Sequence, residues 1–244
     1  MKPFFIGDED IQLRAVLERP EGIDYGPLCI VLHGLTGNLG EAHIRAASRA
    51  MRSCGVATLR VELYGHGRSG GSFEDHDLGK WIHNVETVTD YAASLDFVTD
   101  LYLCGHSQGG LTAILAAGKH PERYKALLPL APALNIPDGA RHGELWGVRF
   151  DPVRLPEQIP LHARVVGRDY IETAQAADVD GAIAAYKGPV LLVHGDADTS
   201  VPLRYSVRAA EQYENAKLII IPGADHGYHG HLEELTAAIQ SFLK

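Results

Sequence analysis

Short, continuously apolar runs alternate with helical patterns along this sequence, and this alternation restricts the fold more than any other feature. The runs of strand length lie at residues 11–17, 28–32, 56–61, 101–104, 126–130, 190–193 and 218–221. Helical periodicity is found at residues 41–54, 78–93, 109–119, 203–213 and 232–243. The later runs are apolar at consecutive positions, as expected of parallel strands covered on both faces. The pattern predicts an α/β fold, with a mostly parallel central sheet flanked by helices.

One long segment, at about residues 133–186, interrupts the alternation. It is rich in Pro, Arg and His, and it contains short helical pieces but no clear strand. A structureless loop of this length would be unusual inside a compact domain. We therefore expect a small cap or lid, inserted between two sheet strands of a single domain that spans residues 1–244.

Composition and charge exclude several classes of function. The hydrophobic fraction of 45% and the charged fraction of 22% are typical of a globular protein. The net charge of −9 argues against a nucleic-acid partner, because phosphate binding needs a basic face. No apolar stretch approaches the length of a membrane span, so no membrane partner is expected either.

The cysteines and the N-terminus bear on location. Cys29, Cys54 and Cys104 are widely spaced and odd in number, which is not the pattern of a disulfide framework. The first residues lack the apolar region and small-residue cleavage site of a signal peptide. Both observations favour a reducing, cytoplasmic compartment.

The strongest chemical motif is G-H-S-Q-G at residues 105–109, between an apolar run and a helical pattern. A G-x-S-x-G motif in this context forms a sharp turn that exposes the serine hydroxyl. The small residues Gly105 and Gly109 let neighbouring backbone pass close to the turn. The context predicts that Ser107 is a catalytic nucleophile, and the alternative is a glycine-rich helix start.

A serine nucleophile needs a base and an acid that orients the base, and with this motif they follow in the order Ser, acid, His. The segment VLLVHGDADTSVP offers Asp196 and Asp198 just after a predicted strand. Asp198 is favoured, because this segment resembles the acid-bearing loop of hydrolases with a G-x-S-x-G motif, which usually runs His-Gly-x-x-Asp before Val-Pro. Asp196 would then form a turn or a hydrogen bond, a role that either aspartate could take.

The base is expected just after the last strand, where the sequence LIIIPGADHGYHG supplies His226. His229 and His231 lie close by, so the three histidines could also be interpreted as a metal cluster. Their H-x-x-H-x-H spacing lacks a supporting carboxylate pattern, and the sequence contains no H-E-x-x-H. We therefore expect His226 to be the base, no metal to be bound, and the other two histidines to be solvated.

Stabilisation of the oxyanion needs two backbone N–H donors. Gln108 follows the nucleophile and is expected to supply one, and Leu35 of the H-G-L-T-G motif at residues 33–37 is expected to supply the other. The alternative for the second motif is a simple glycine-rich turn. A further loop, G-H-G-R-S at residues 65–69, is expected to be structural, because His226 already supplies the base.

The motifs HGLTGN, GHGRSGGSFE, GHSQGG, HGDADTSVP and GADH together resemble the cinnamoyl (feruloyl) esterases of gut bacteria, within the α/β-hydrolase superfamily. The likeness continues through APAL at 131–134, through residues 147–152 and through residues 167–170. The resemblance implies the α/β-hydrolase fold and a substrate that is an ester of a hydroxycinnamic acid. In those enzymes the cap supplies an Asp and a Tyr that bind the phenol hydroxyl, assisted by a Gln.

The resemblance also implies substrate-binding residues here. Tyr170 matches the tyrosine position, Asp138 lies one residue from the aspartate position, and Trp146 stands where the glutamine would be. The predicted function is a carboxylic-ester hydrolase that forms an acyl-enzyme and needs no cofactor. Its expected partner is a small-molecule ester, and a homodimer is left open.

Other functions on the same fold remain as alternatives at this stage. A monoacylglycerol lipase, a general carboxylesterase, a small peptidase or a carbon–carbon bond hydrolase would share the motifs, because a fold does not fix a substrate. A non-catalytic ligand-binding protein is the alternative from another class, although a complete triad in the expected order argues against it.

Overall fold

The computed structural model describes residues 2–244. In chain order its strands are β1 (Phe4–Asp8), β2 (Ile11–Glu18), β3 (Gly26–Leu32), β4 (Ala57–Val61), β5 (Val98–His106), β6 (Ala126–Leu130), β7 (Glu144–Leu145), β8 (Val148–Arg149), β9 (Gln158–Leu161), β10 (Arg164–Gly167), β11 (Val190–Gly195) and β12 (Ala216–Ile221). The α-helices are α1 (Ala42–Ser53), α2 (Leu78–Ala93), α3 (Gln108–Lys119), α4 (Asn135–His142), α5 (Arg168–Ala176), α6 (Val179–Ala185), α7 (Arg204–Gln212) and α8 (Leu232–Leu243). Short 3₁₀ helices lie at Phe73–Asp75 and Pro121–Arg123.

The main sheet has eight strands in the order β1-β2-β4-β3-β5-β6-β11-β12. The first two pairs, β1 with β2 and β2 with β4, are antiparallel. Every later pair is parallel, so the carboxyl ends of β3, β5, β11 and β12 reach the same edge of the sheet. The predicted α/β fold with a mostly parallel sheet is confirmed.

The middle of the sheet is buried on both faces. Along β3, Leu28, Ile30 and Leu32 pack into the core on one face, and Cys29 and Val31 pack into the core on the other. Successive strand residues point to opposite faces, so a strand covered on both sides must be apolar at every position. Helices α1 and α8 cover one face, and α2 and α3 cover the other.

The structure differs from the sequence prediction at both edges of the sheet. The N-terminal strand β1 was not predicted, because its pattern FFIGD is short and half polar. The last strand, β12, was expected to be covered on both faces, but it pairs only with β11 and leaves 43% of Ile220 exposed. An apolar run alone cannot distinguish a central strand from an edge strand, because it does not specify the neighbours.

The segment between β6 and β11 contains α4, α5 and α6 together with two small hairpins, β7–β8 and β9–β10. The expectation of no strands here was wrong. These strands are two to four residues long, which is too short to give a periodic signal. Among residues 2–244, each helix is too short or too polar to cross a bilayer.

Gly195, at the end of β11, is in close contact with the turn that follows β12. A Cβ atom at this position would overlap with the carbonyl oxygen of Ala224. The two loops that begin here carry Asp198 and His226, so their backbones must meet closely for those side chains to meet.

We expect Gly195→Ala to lower the free energy of unfolding by about 1–3 kcal/mol, because the added methyl group must push two backbone segments apart. Gly7→Ala is the matched control, since a Cβ there has no neighbour within 4 Å. It should change the stability by about 0.5 kcal/mol or less. Urea denaturation measures both, and equal stabilities for the two variants would contradict this account.

Candidate active site

Ser107 lies between the end of β5 and the start of α3, with φ of 55° and ψ of −121°. This conformation is unfavourable for a residue with a side chain and is tolerated only where the surroundings impose it. They do so here by close packing. A Cβ on Gly105 would overlap with the Gly109 carbonyl, and one on Gly109 would overlap with the His33 carbonyl. The turn therefore presents the Ser107 side chain beyond the sheet edge.

A continuous line of hydrogen bonds starts at Ser107. Its Oγ lies 2.9 Å from His226 Nε2, and His226 Nδ1 lies 2.6 Å from Asp198 Oδ2. Since a carboxylate accepts, Nδ1 carries a proton in this arrangement, which leaves Nε2 free to accept the serine proton. In this arrangement His226 can take the proton of the Ser107 hydroxyl, and the serine oxygen can then attack a carbonyl carbon.

The Asp198 side chain is fully buried and remains ionised. Burial alone would raise its pKa, but hydrogen bonds from His194, His226 and the backbone N–H of Val201 more than offset that effect and hold the pKa well below its usual range. His226 therefore always faces a negative charge, which favours the protonated imidazole that forms during the reaction.

The second aspartate of this loop has a different environment. Asp196 is exposed, and its Oδ1 accepts a hydrogen bond from the backbone N–H of Gly223 at 2.6 Å. It therefore joins the loop after β11 to the turn after β12. Of the two aspartates, Asp198 is the one in contact with His226.

The neighbouring histidines are dispersed. His229 is largely exposed with Nδ1 2.9 Å from Asp225 Oδ2, and His231 Nδ1 lies 3.4 Å from Glu234 Oε1. Within the described residues, no three His, Cys, Asp or Glu side chains are grouped closely enough to hold a metal ion.

The two expected oxyanion donors, Leu35 and Gln108, belong to segments next to Ser107. Gln108 is the first residue of α3, where a backbone N–H has no partner within the helix. Leu35 lines the cavity beside Ser107, and a Cβ on the preceding Gly34 would lie 3.0 Å from Ser107 Cβ. Both amides are therefore close to the point where an ester carbonyl would meet Ser107.

Two buried histidines hold the loop that carries Leu35, and sequence reasoning did not assign them that role. His66 Nε2 accepts a hydrogen bond from the N–H of Thr36 at 3.2 Å, and His33 Nε2 accepts one from the N–H of Leu63 at 3.1 Å. Burial lowers the pKa of His33 to about 4 and that of His66 to about 2, so both rings stay neutral and can accept. The structural role expected for residues 65–69 agrees with these contacts.

His106, immediately before the nucleophile, was also missed. It is buried, and its Nε2–H donates to the backbone carbonyl of His226 at 2.8 Å. Its ring lies near those of His43 and His226, with centroid distances of 4.1 Å and 4.7 Å, and is tilted by 52° and 45° to them. His106 thereby links the turn at Ser107 to the loop that carries His226. Its place at the end of a strand, beside Ser107, was the available signal.

Tyr170 and Trp146 lie together in the segment between β6 and β11, with ring centroids 5.5 Å apart. Tyr170 is fully buried, and its O–H donates to Gln108 Oε1 at 2.7 Å. Trp146 has φ of 51° and forms the turn of the β7–β8 hairpin with Gly147. Such turns favour Asn or Gly, so a half-exposed tryptophan in this strained position indicates a requirement for its ring.

Asp138 is the third residue that the resemblance implies for substrate binding. It is on α4, 3.7 Å from the Arg141 side chain, and it lines a groove formed with α6 and α7. Ile136 and Ala140 face the core from α4, and Asp138 falls on the opposite face of the same helix. Asp138 therefore faces this groove and not the core.

Comparison with known proteins places these residues in a wider context. Residues 26–165 match the profile of the family described as serine aminopeptidase, S33, and residues 165–244 match the family described as TAP-like protein. A solved structure described as ferulic acid bound to Est1E from Butyrivibrio proteoclasticus is 46% identical, with a TM-score of 0.96, and the match covers 98% of this chain and 97% of that one.

More distant relatives share the fold or part of the sequence. The monoacylglycerol lipase of Mycolicibacterium smegmatis is 26% identical over 249 residues, covering 88% of each chain. The mouse α/β hydrolase domain-containing protein 10 is 21% identical with a TM-score of 0.78, covering 99% of this chain and 98% of that one.

The contacts of the two aspartates and three histidines lead to a direct test. Asp198→Asn and His226→Ala should each lower kcat for ester hydrolysis by several orders of magnitude, with KM changed less. Asp196→Asn, His229→Ala and His231→Ala should stay within about tenfold of the wild type, because the polar contacts of those side chains are with Gly223, Asp225 and Glu234. Inactivation by EDTA that added metal reverses would contradict this assignment and favour a metal cluster.

Proposed function

We infer, because this chain belongs to the serine-hydrolase family described as serine aminopeptidase, S33, that it is an α/β-hydrolase with Ser107 as its nucleophile. The predicted resemblance to the feruloyl esterases is confirmed, and the protein is a serine ester hydrolase. The observation that carries the residue assignment is the line of hydrogen bonds from Ser107 through His226 to Asp198.

In the proposed mechanism, Ser107 Oγ attacks the ester carbonyl while His226 Nε2 takes its proton. Asp198 keeps the proton on Nδ1 and stabilises the imidazolium, and the N–H groups of Leu35 and Gln108 bind the oxyanion. His226 then gives its proton to the departing alcohol. Water enters, loses a proton to His226 and releases the acid from the acyl-enzyme. Each step uses only the chain, the ester and water.

We further propose that the acyl group is a hydroxycinnamoyl group. The relative at 46% identity binds ferulic acid, which is a hydroxycinnamic acid. In this chain, Trp146 and Tyr170 supply aromatic surface next to Gln108, as a planar aromatic acid would require. We assign these residues to the cap, at about residues 133–186, and we expect the acyl chain to lie between the cap and Ser107.

The hydrogen bond of Tyr170 defines what it can offer to this acyl group. Its proton is donated to Gln108, so toward a ligand its oxygen can only accept. The oxygen of Tyr170 would therefore accept a hydrogen bond from the phenolic hydroxyl group of the substrate. Because Tyr170 is fully buried, this requires side chains packed around it to move when the substrate enters.

We also propose a cytoplasmic location, supported by three free cysteines, of which Cys29 and Cys104 are buried. A small-molecule ester is the proposed partner. The homodimer stays a prediction.

Replacement of the nucleophile tests the chemistry. Ser107→Ala should fold normally and lose nearly all ester hydrolysis, because the oxyanion donors alone leave only a small residual rate. Covalent labelling by a fluorophosphonate, measured by mass spectrometry, should be absent in this variant. Full activity in Ser107→Ala would refute the assignment.

Substrate preference tests the acyl group. Methyl caffeate, methyl p-coumarate and methyl ferulate should have a higher kcat/KM than methyl cinnamate, because a site that binds a hydroxyl group discriminates against an analogue without it. Tyr170→Phe should reduce that ratio, whereas Asp138→Asn, on the far face of α4, should leave it unchanged. Faster turnover of monoacylglycerols or short aliphatic esters than of every hydroxycinnamate would favour a lipase or a general carboxylesterase instead.

A further inference from the structure

A cavity of about 510 Å³ opens beside Ser107 and His226. It is lined by the loops after β3, β11 and β12 and by the first residues of α1. No residue of the 133–186 segment lines it, so it is distinct from the aromatic pair Trp146 and Tyr170. The volume is ample for a small polar molecule.

The position of the general base identifies which part of an ester this cavity would hold. The base returns its proton to the leaving oxygen, so the leaving alcohol must lie on the side of His226 Nε2. The loop that carries His226 also lines the cavity, through Asp225, Gly227 and His229. On the acyl side, the Gln108 side chain is bound to Tyr170. The cavity therefore lies where the alcohol departs.

The side chains around the cavity are polar, and besides the histidines at positions 43, 106, 226 and 229 they include two carboxylates. Thr199 and Ser200 contribute hydroxyl groups, and Glu41 and Asp225 contribute carboxylates. None of the described residues that line it is Lys or Arg. Hydroxyl and carboxylate oxygens accept hydrogen bonds from alcohol groups, whereas the two carboxylates repel a second anion.

Neither carboxylate is neutralised by a strong cation. The nearest base to Glu41 is His43, whose Nε2 lies 3.9 Å from Oε2. Burial, aided by nearby His226 and His229, lowers the pKa of His43 to about 4, so its ring is neutral near pH 7. Among the basic side chains of residues 2–244, Asp225 forms an ion pair only with His229, and the backbone N–H of His229 lowers the pKa of Asp225.

We propose that this cavity is the leaving-group site, and that Glu41 and Asp225 select neutral, hydroxyl-rich alcohols over anionic ones. The proposal rests on the proposed function. In the step concerned, the ester C–O bond breaks, the proton on His226 Nε2 passes to the alkoxide oxygen, and a neutral polyol or sugar departs into the cavity. The acyl group stays on Ser107.

A pair of substrates that differ only in leaving-group charge tests the proposal. In caffeoyl quinate the alcohol carries a carboxylate, and in its methyl ester that carboxylate is neutral. At pH 8 and low ionic strength, kcat/KM should be about fivefold higher for the methyl ester, because the anion meets two carboxylates. The ratio should fall as salt is added.

Variants that remove one negative charge show which carboxylates cause the difference in kcat/KM. Glu41→Gln and Asp225→Asn should each reduce the ratio toward one, since both replacements keep the hydrogen-bonding shape and lose the charge. Glu122→Gln is the control, because Glu122 lies beyond the opposite end of the strands and its loss changes net charge equally. Equal rates for the two esters, or a ratio that neither variant alters, would overturn the proposal.

The acyl group is identical in both esters, so the acyl preference of the enzyme cancels in the ratio of kcat/KM. A failure of the proposed hydroxycinnamoyl preference is recognised separately, with the methyl hydroxycinnamates. If caffeoyl esters are not turned over, p-nitrophenyl acetate forms the acyl-enzyme instead. Added glycerol should then capture the acetyl group more efficiently than added glycerate, measured by product chromatography. Equal capture would refute the selection by charge.

Discussion

The turn at Ser107 is the constraint on which the rest of the structure depends. A side chain at φ of 55° persists only because strand β5, helix α3 and the loop after β3 press against one another at Gly105 and Gly109. The conformation is unfavourable locally and is maintained by the packed sheet, which is buried on both faces. The core thus holds a hydroxyl group in an exposed and fixed position, which a free loop could not do.

Hydrogen bonds between neighbouring loops then fix the partners of that hydroxyl. His106 holds the backbone of His226, Asp196 joins the loops after β11 and β12, and His66 holds the loop of Leu35. The buried imidazoles serve this purpose because desolvation keeps them neutral, so each ring can donate at one nitrogen and accept at the other. Asp198 is the exception, since several donors keep it charged although it is buried.

Two unlike environments meet at Ser107. Trp146 and Tyr170 lie toward Gln108 and are aromatic, whereas Glu41 and Asp225 lie toward His226 and are acidic. An ester has the same asymmetry when an aromatic acid is joined to a polar alcohol. Because the base must face the leaving oxygen, the position of His226 decides which environment receives which half.

The sequence by itself determined the α/β fold, the place of Ser107 between a strand and a helix, and the resemblance to feruloyl esterases. Periodicity and G-x-S-x-G depend on neighbours along the chain, so they can be read without coordinates.

The tertiary structure decided the rest. Asp198 and Asp196 are chemically identical and two residues apart, and only the fold determines which of them meets His226. Asp138 lies on the face of α4 away from the core, and only the tertiary structure shows that this face lines a groove formed with α6 and α7. The leaving-group cavity is assembled from four separate stretches of chain, so no local sequence pattern predicts it.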